Sequence, residues 1–149
     1  MVIEVGRNGR DYIRVDYDVN AGVLSNVSVR AVGCHFLLQK VQLLRGRLSG
    51  KIDDLLIPEG HDHATILIRE IVLKIKGLWN FPYAEAELCH CRAVPTARVD
   101  EAIVCGDHRV EDVAENTSAG TACGSCRRDT QRIIDYRLNR SPDSAKKAA

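Results

Sequence analysis

Apolar and polar residues alternate along the first 32 positions, and many of the apolar residues are β-branched. Residues that tolerate tight turns interrupt this alternation at positions 7–10 and 18–22. A period of two with such breaks is typical of antiparallel strands joined by short turns. The pattern therefore predicts a three-stranded antiparallel meander over residues 1–32.

The hydrophobic period changes after this meander. Apolar residues recur at helical spacing over residues 36–44 and, more densely, over residues 64–76. Between them, Ser49 is predicted to cap a short helix over residues 51–55. Strands followed by helices predict an α+β fold in which the helices cover one face of the sheet.

The second half of the chain has no comparable strand pattern. Residues 79–86 are predicted to link a first domain, 1–78, to a small all-α, cysteine-rich domain, 87–140. The last nine residues, 141–149, are small and polar and are predicted to be a disordered tail. The helices expected in the second domain are 96–104, which Thr96 is predicted to cap, 110–116 and 127–138.

Composition narrows the classes of function. The chain is 45% hydrophobic and 28% charged, which is typical of a globular protein, and its net charge of +1 favours neither a nucleic acid nor an anionic membrane as partner. The sequence shows neither an apolar run long enough to span a bilayer nor an export signal, so we expect a cytoplasmic protein. It also shows no nucleophile with a matching base, no paired catalytic carboxylates and no nucleotide-binding motif, so we do not expect an enzyme.

Four of the six cysteines form two close pairs, Cys89-x-Cys91 and Cys123-x-x-Cys126. Thiolates grouped in this way supply two soft ligands from one short loop, as iron–sulfur clusters and zinc ions require. A spacing of one intervening residue is less common in zinc sites, which favours the cluster. A structural zinc ion held by the same four cysteines, in a module that only binds other proteins, remains the alternative.

The cysteine pairs lie within a wider pattern of Val94-Pro95-Thr96, Ile103, Gly106, Val110, Val113, Thr117-x-Ala119-Gly120-Thr121 and Cys123-Gly124-x-Cys126. In this respect residues 87–139 resemble the 2Fe-2S domain shared by bacterioferritin-associated ferredoxin and the central part of NifU. The resemblance implies a small all-helical domain whose 2Fe-2S cluster is held by Cys89, Cys91, Cys123 and Cys126. Arg92, Arg127 and Arg128 lie beside these cysteines in sequence, where they either offset the charge of a cluster or are simply solvated.

The first half resembles, less closely, the scaffold domain that precedes the 2Fe-2S domain in NifU. This resemblance rests on residues 13–34, which end in Gly33-Cys34, and on His63 before the long helix. The family has a cysteine after that histidine, whereas this chain has Ala64. The resemblance therefore implies a degenerate scaffold of the NifU and IscU type that has kept one of three cysteines.

Three interpretations of Cys34, His61 and His63 remain open. They are remnants in an inert domain, or a weak metal or persulfide site to which Asp62 could contribute, or part of a surface that binds an assembly partner. Taken together, the sequence predicts a 2Fe-2S protein of iron–sulfur cluster assembly or one-electron transfer. Its expected partners are iron–sulfur assembly proteins or a redox partner.

Overall fold

The computed structural model describes residues 1–7 and 10–140. The chain divides into two compact units, Met1–Trp79 and the residues from Asn80 onward. The predicted tail and the middle of the first predicted turn lie outside the described residues. Among the helices that the structure describes, none combines the length and the apolar character needed to cross a bilayer.

The first unit contains a four-stranded antiparallel sheet with strand order β1-β2-β3-β4 and two α-helices. The three predicted strands are present. The fourth, which pairs with the start of β3, was missed because two residues are too few to show an alternating pattern. The elements of this unit are β1 (Val2–Gly6), β2 (Tyr12–Asn20), β3 (Val23–Val32), α1 (His35–Arg45), β4 (Gly50–Lys51), a 3₁₀ helix (Ile52–Asp54) and α2 (His63–Ile75).

Alternate residues of the sheet are buried, and the apolar faces of α1 and α2 form the other half of this core. The predicted α+β class is confirmed in this mixed arrangement of sheet and helices. The predicted helix capped by Ser49 is wrong: a 3₁₀ helix of three residues follows Lys51 and has no side-chain cap. The cause is β4, which uses the preceding residues as a strand. The core side chains are Ile3, Val5, Ile13, Val15, Tyr17, Leu24, Val29, Leu37, Val41, Leu44, Leu48, Leu55, Ala64, Ile66, Leu67, Ile68, Ile71, Val72 and Ile75.

The second unit is not all-α, contrary to the prediction, because a two-stranded antiparallel hairpin precedes its helices. Strands this short carry no detectable period, so the sequence pattern could not reveal them. Thr96 is not a cap: it is the first residue of α3, and its hydroxyl donates to the Glu85 carbonyl at 2.6 Å. The elements are β5 (Glu87–Cys89), β6 (Val94–Pro95), α3 (Thr96–Val104), α4 (Val110–Thr117) and α5 (Arg127–Arg137).

An ion pair connects α3 to α5 at the edge of the second core. Arg137 donates from Nε and Nη2 to the two carboxylate oxygens of Asp100, at 2.7 and 2.6 Å. The side chain of Arg137 is only 6% exposed. The buried apolar residues of this core are Leu88, Val94, Val99, Ala102, Ile103, Val104, Val113, Ala114, Ala119, Ile133, Ile134 and Leu138.

Candidate metal centre

The first two cysteines lie on the β5–β6 hairpin. Cys89 is the last residue of β5, and Cys91 lies in the turn that follows. Ala93 completes the turn with a left-handed backbone, φ 51°. The backbone N–H of Thr96 donates to the Ala86 carbonyl at 2.8 Å and closes the base of the hairpin. This hairpin therefore presents two thiols from one rigid segment.

The other two cysteines lie on residues 118–126, which we call the second ligand loop. The loop begins where α4 ends at Ser118, whose backbone is left-handed (φ 70°). It ends at Cys126, immediately before α5. At its start the Thr117 hydroxyl donates to the Val113 carbonyl at 2.6 Å and accepts from the Ala119 N–H at 3.2 Å. The loop thus leaves α4 in a defined direction.

The four sulfur atoms meet in two pairs, each of which joins the hairpin to the second ligand loop. The Sγ atoms of Cys91 and Cys123 are 2.9 Å apart. Cys89 and Cys126 share a hydrogen bond between their side chains. Cys89 and Cys126 are buried, 2% and 5% exposed, whereas Cys91 and Cys123 are exposed. The predicted residues therefore form one site with a buried side and a solvent-facing side.

Backbone N–H groups point at these sulfurs. The Gly120 N–H, with those of Arg92 and Cys91, donates to Cys89, and the hydrogen bond from Gly120 contributes most to lowering the pKa of Cys89. The Cys123 N–H donates to Cys91, and the Ser125 N–H donates to Cys123. Such hydrogen bonds stabilise sulfur that carries negative charge.

The two members of each pair differ in acidity. The hydrogen bond with Cys91, followed by that with Ser125, lowers the pKa of Cys123 to about 7, and the same contact raises the pKa of Cys91. Burial, followed by the contact with Cys89, raises the pKa of Cys126 to about 11. The thiolate is the form that binds a metal, and each pair contains one thiol whose pKa is lowered, Cys89 in one pair and Cys123 in the other.

A cavity of about 350 Å³ opens at the four cysteines, and its lining includes Tyr83, Glu85 and Asp129, which the sequence analysis does not assign to the site. The Tyr83 hydroxyl donates to the Glu87 carbonyl at 3.1 Å. A partial signal was available, because Asp129 lies three residues after Cys126 on a predicted helix and so faces the same side. Tyr83 falls in the predicted linker, residues 79–86, and nothing in its local sequence pattern connects it with the hairpin.

The remaining candidates near the centre have distinct positions. Arg92, Arg127 and Arg128 are all exposed, and Arg127 donates from Nε to the Gly120 carbonyl at 3.0 Å. His90, between the first two cysteines, lies 2.8 Å from Glu87, which raises the pKa of His90. Cys105 is exposed at the end of α3 and does not line the cavity.

A second group of ligand-type atoms lies in the first unit. The Nε2 atom of His63 is 3.1 Å from the Sγ of Cys34 and 3.2 Å from an Oδ of Asp11. One ligand atom from each of these residues lies within 4.8 Å of the others. Cys34 precedes α1, and His63 begins α2. The structure thus brings together the two residues of the predicted secondary site and adds Asp11, which sequence reasoning missed.

Strand register explains why Asp11 belongs to this group. Tyr12 pairs with Val32, so Asp11 lies opposite the chain that follows β3. There it accepts a hydrogen bond from the Cys34 N–H at 3.1 Å. A Cβ on Gly33 would lie 2.4 Å from an oxygen of Asp11, so this approach requires glycine. A bulge between Asp16 and Asp18 shifts this register by one residue, so aligning the predicted strands outward from their turn does not place Asp11 there.

The other residues considered for this site have different roles or positions. Asp62 caps α2, because its carboxylate accepts from the N–H and hydroxyl of Thr65 at 2.9 and 2.7 Å. His61 is not one of the three converging residues. Of the residues considered from the sequence, Cys34 and His63 therefore converge with Asp11, whereas His61 and Asp62 do not.

The chemistry of the cysteine site fits an iron–sulfur cluster. Two pairs of thiols, with N–H donors directed at sulfur, match what a cluster with two irons needs from a protein. Residues 88–136 match the family model of the BFD-like [2Fe-2S] binding domain. The predicted cofactor is thereby confirmed as a 2Fe-2S cluster, and the chain is a 2Fe-2S-binding protein. Comparison with curated proteins and with solved structures finds no significant match.

Proposed function

We propose that this chain is a one-electron carrier rather than an enzyme, and that Cys89, Cys91, Cys123 and Cys126 hold its cluster. When bound, the cluster accepts and returns one electron as iron changes between the ferric and ferrous states. Cys89 and Cys126 anchor the cluster from the buried side. Cys91 and Cys123 occupy the exposed side, from which a redox partner can exchange the electron.

The observation that carries this proposal is the way the chain fixes Cys89. This residue is 2% exposed and accepts hydrogen bonds from three backbone N–H groups. A carrier must keep its cluster through many cycles, and buried, hydrogen-bonded sulfur resists exchange with solvent thiols. A role in cluster assembly, with assembly proteins as partners, would instead require the chain to release the cluster.

Cluster retention tests this function. Anaerobically reconstituted protein should show broad visible absorption with equimolar iron and sulfide, and should bleach with dithionite and recover in air over repeated cycles. Incubation with an apo-ferredoxin should leave the iron and sulfide on this chain. Transfer of both to the acceptor would establish assembly instead. A colourless protein that holds zinc after reconstitution would favour the structural zinc module.

A second function is favoured by the geometry of Asp11, Cys34 and His63. We propose that the first unit binds a divalent metal at these residues, as a degenerate scaffold with a single cysteine. A thiol, imidazole and carboxylate are all zinc ligands, and three protein ligands leave a fourth position open. The same nitrogen of His63 approaches both Cys34 and Asp11. In a catalytic relay, the nucleophile and the acid contact different nitrogens of the histidine ring. Cys34 and Asp11 approach the same nitrogen of His63, so the arrangement favours a metal site over a relay.

Cobalt(II) binding tests the second site. On cluster-loaded protein, in which the other four thiols are occupied, we expect Co²⁺ to produce the near-ultraviolet band of a thiolate ligand. Cys34→Ser should abolish this band, and Asp11→Asn should weaken binding by at least about tenfold, as losing a group that supports a metal site does. His61→Gln is the matched control and should bind normally. An equal band in Cys34→Ser would exclude this site.

A further inference from the structure

We infer that Arg127 is a positioning residue that holds the second ligand loop in the shape needed by Cys89. This inference rests on the proposed function, because it concerns how the chain keeps its cluster. The sequence alone leaves two interpretations of Arg127, either a charge that offsets the cluster or a solvated residue at the start of a helix. Arg127 is exposed, yet its side chain makes a specific hydrogen bond to the second ligand loop.

The side chain of Arg127 lies back across the loop that precedes it. Its Nε donates to the Gly120 carbonyl at 3.0 Å. A Cβ placed on Gly120 would be 2.9 Å from the Cγ of Arg127, and one on Gly124 would be 3.8 Å from its Cδ. Gly120 and Gly124 both have left-handed backbones, with φ of 77° and 73°. The loop thus leaves room at Gly120 for the stem of this arginine.

Gly120 connects this contact to the metal centre. It is buried, its carbonyl accepts from Arg127, and its N–H donates to the sulfur of Cys89. A buried carbonyl needs a hydrogen-bond partner, so the guanidinium restricts how this residue can rotate. Holding the carbonyl therefore also holds the N–H that points at Cys89.

The rest of the loop shows why this contact matters. Thr117 fixes the start of the loop on α4, and Cys126 fixes its end on α5. Between these ends, the Thr121 hydroxyl donates a hydrogen bond of 2.7 Å to the Ser118 carbonyl. Arg127 provides the contact that ties the middle of the loop, at Gly120, to the first turn of α5.

Three variants separate this positioning role from a charge effect. Arg127→Lys keeps the charge but lacks the Nε donor, and Arg127→Gln removes both. Arg128→Gln removes one charge from the next residue, which is exposed. If Arg127 acts by position, both substitutions of Arg127 should behave alike. If it acts only by charge, Arg127→Lys should resemble the wild type and the two glutamine variants should resemble each other.

Amide hydrogen exchange on the cluster-loaded protein is the primary measurement, since it reports on the Gly120 N–H directly and does not depend on whether the protein carries electrons or assembles clusters. We expect the Gly120 N–H to exchange about tenfold faster in both Arg127 variants, the change expected from losing one hydrogen bond to a charged group. Arg128→Gln should leave this rate unchanged. Circular dichroism checks that each variant is folded. If Arg127→Gln is not folded, the exchange rate at Gly120 in Arg127→Lys is sufficient for the test.

The reduction potential of the loaded protein is the second measurement. Weaker N–H donation to Cys89 should shift the potential to a more negative value in both Arg127 variants, because hydrogen bonds to sulfur favour the more negatively charged reduced state. Wild-type exchange at Gly120 in both variants would overturn the inference. So would a potential that moves in Arg127→Gln but not in Arg127→Lys. Transfer of the cluster to an acceptor protein would overturn the proposed carrier function. It would not affect the amide hydrogen exchange at Gly120, which tests the positioning role of Arg127 separately.

Discussion

Replacing Cys126 by alanine is expected to remove the cluster from the protein almost completely. Of the two cysteines on the second ligand loop, Cys126 is the buried one, at 5% exposure, and it shares a side-chain hydrogen bond with Cys89. Alanine fits this buried position but offers no ligand atom. Losing a residue that merely orients a metal ligand reduces affinity about 10–100-fold, so the loss of the ligand itself should reduce cluster retention by at least that factor.

Visible absorbance and iron and sulfide content after reconstitution measure this effect. Cys105→Ala is the matched control, since Cys105 lies in the same unit but outside the cavity that the four cysteines line. It should retain wild-type iron and sulfide. A Cys126→Ala protein with wild-type absorbance, or a colourless Cys105→Ala protein, would show that the ligands have been assigned wrongly.

The cysteine site was predictable because its information is local. Two cysteine pairs, glycines at turn positions and flanking helices all lie within one continuous stretch, so spacing alone indicates a metal centre. The β5–β6 hairpin that carries Cys89 was not predictable, because strands of two and three residues show no period. The all-α prediction for the second unit failed there.

Contacts distant in sequence account for most of what was missed. Asp11 accepts a hydrogen bond from the Cys34 N–H, 23 positions away, because strand pairing brings the two together. The role of Arg127 depends on which way its side chain turns, and helical periodicity cannot supply that direction. Ser49 was misassigned for a related reason: the residues after it pair with β3, and this pairing outweighs their local preference for a helix.

The second large effect is expected from the ion pair between Asp100 and Arg137. Asp100→Ala removes the carboxylate that accepts two hydrogen bonds from the Arg137 guanidinium, and the side chains of Asp100 and Arg137 are 21% and 6% exposed. Removing one partner of a buried ion pair costs about 3–5 kcal/mol, and we expect the lower end of this range because Asp100 is partly exposed. Asp112→Ala is the matched control, since it breaks an Arg–Asp pair whose side chains are 71% and 37% exposed. Exposed pairs contribute at most about 1 kcal/mol, so the control should be nearly as stable as the wild type.

The slowest exchanging amides of α3 and α5 report the free energy of opening of the second unit. The double variant Asp100→Ala with Arg137→Met tests whether the buried positive charge of Arg137 causes the loss of stability. It removes that charge and keeps an apolar side chain of similar length. It should be more stable than Asp100→Ala alone. Equal stability of these two variants would mean that lost packing, rather than a buried charge, is responsible.

This ion pair also has a consequence for the metal centre. Asp100 lies on α3, directly after the hairpin that carries Cys89, and Arg137 lies on α5, which begins after Cys126. The pair therefore joins the two helices that follow the two ligand segments. We expect Asp100→Ala to lose its cluster faster than Asp112→Ala does, although neither residue lines the cavity at the four cysteines. If the two variants lost the cluster at the same rate, the hairpin and the second ligand loop would be held together at the sulfur atoms rather than through the helices behind them.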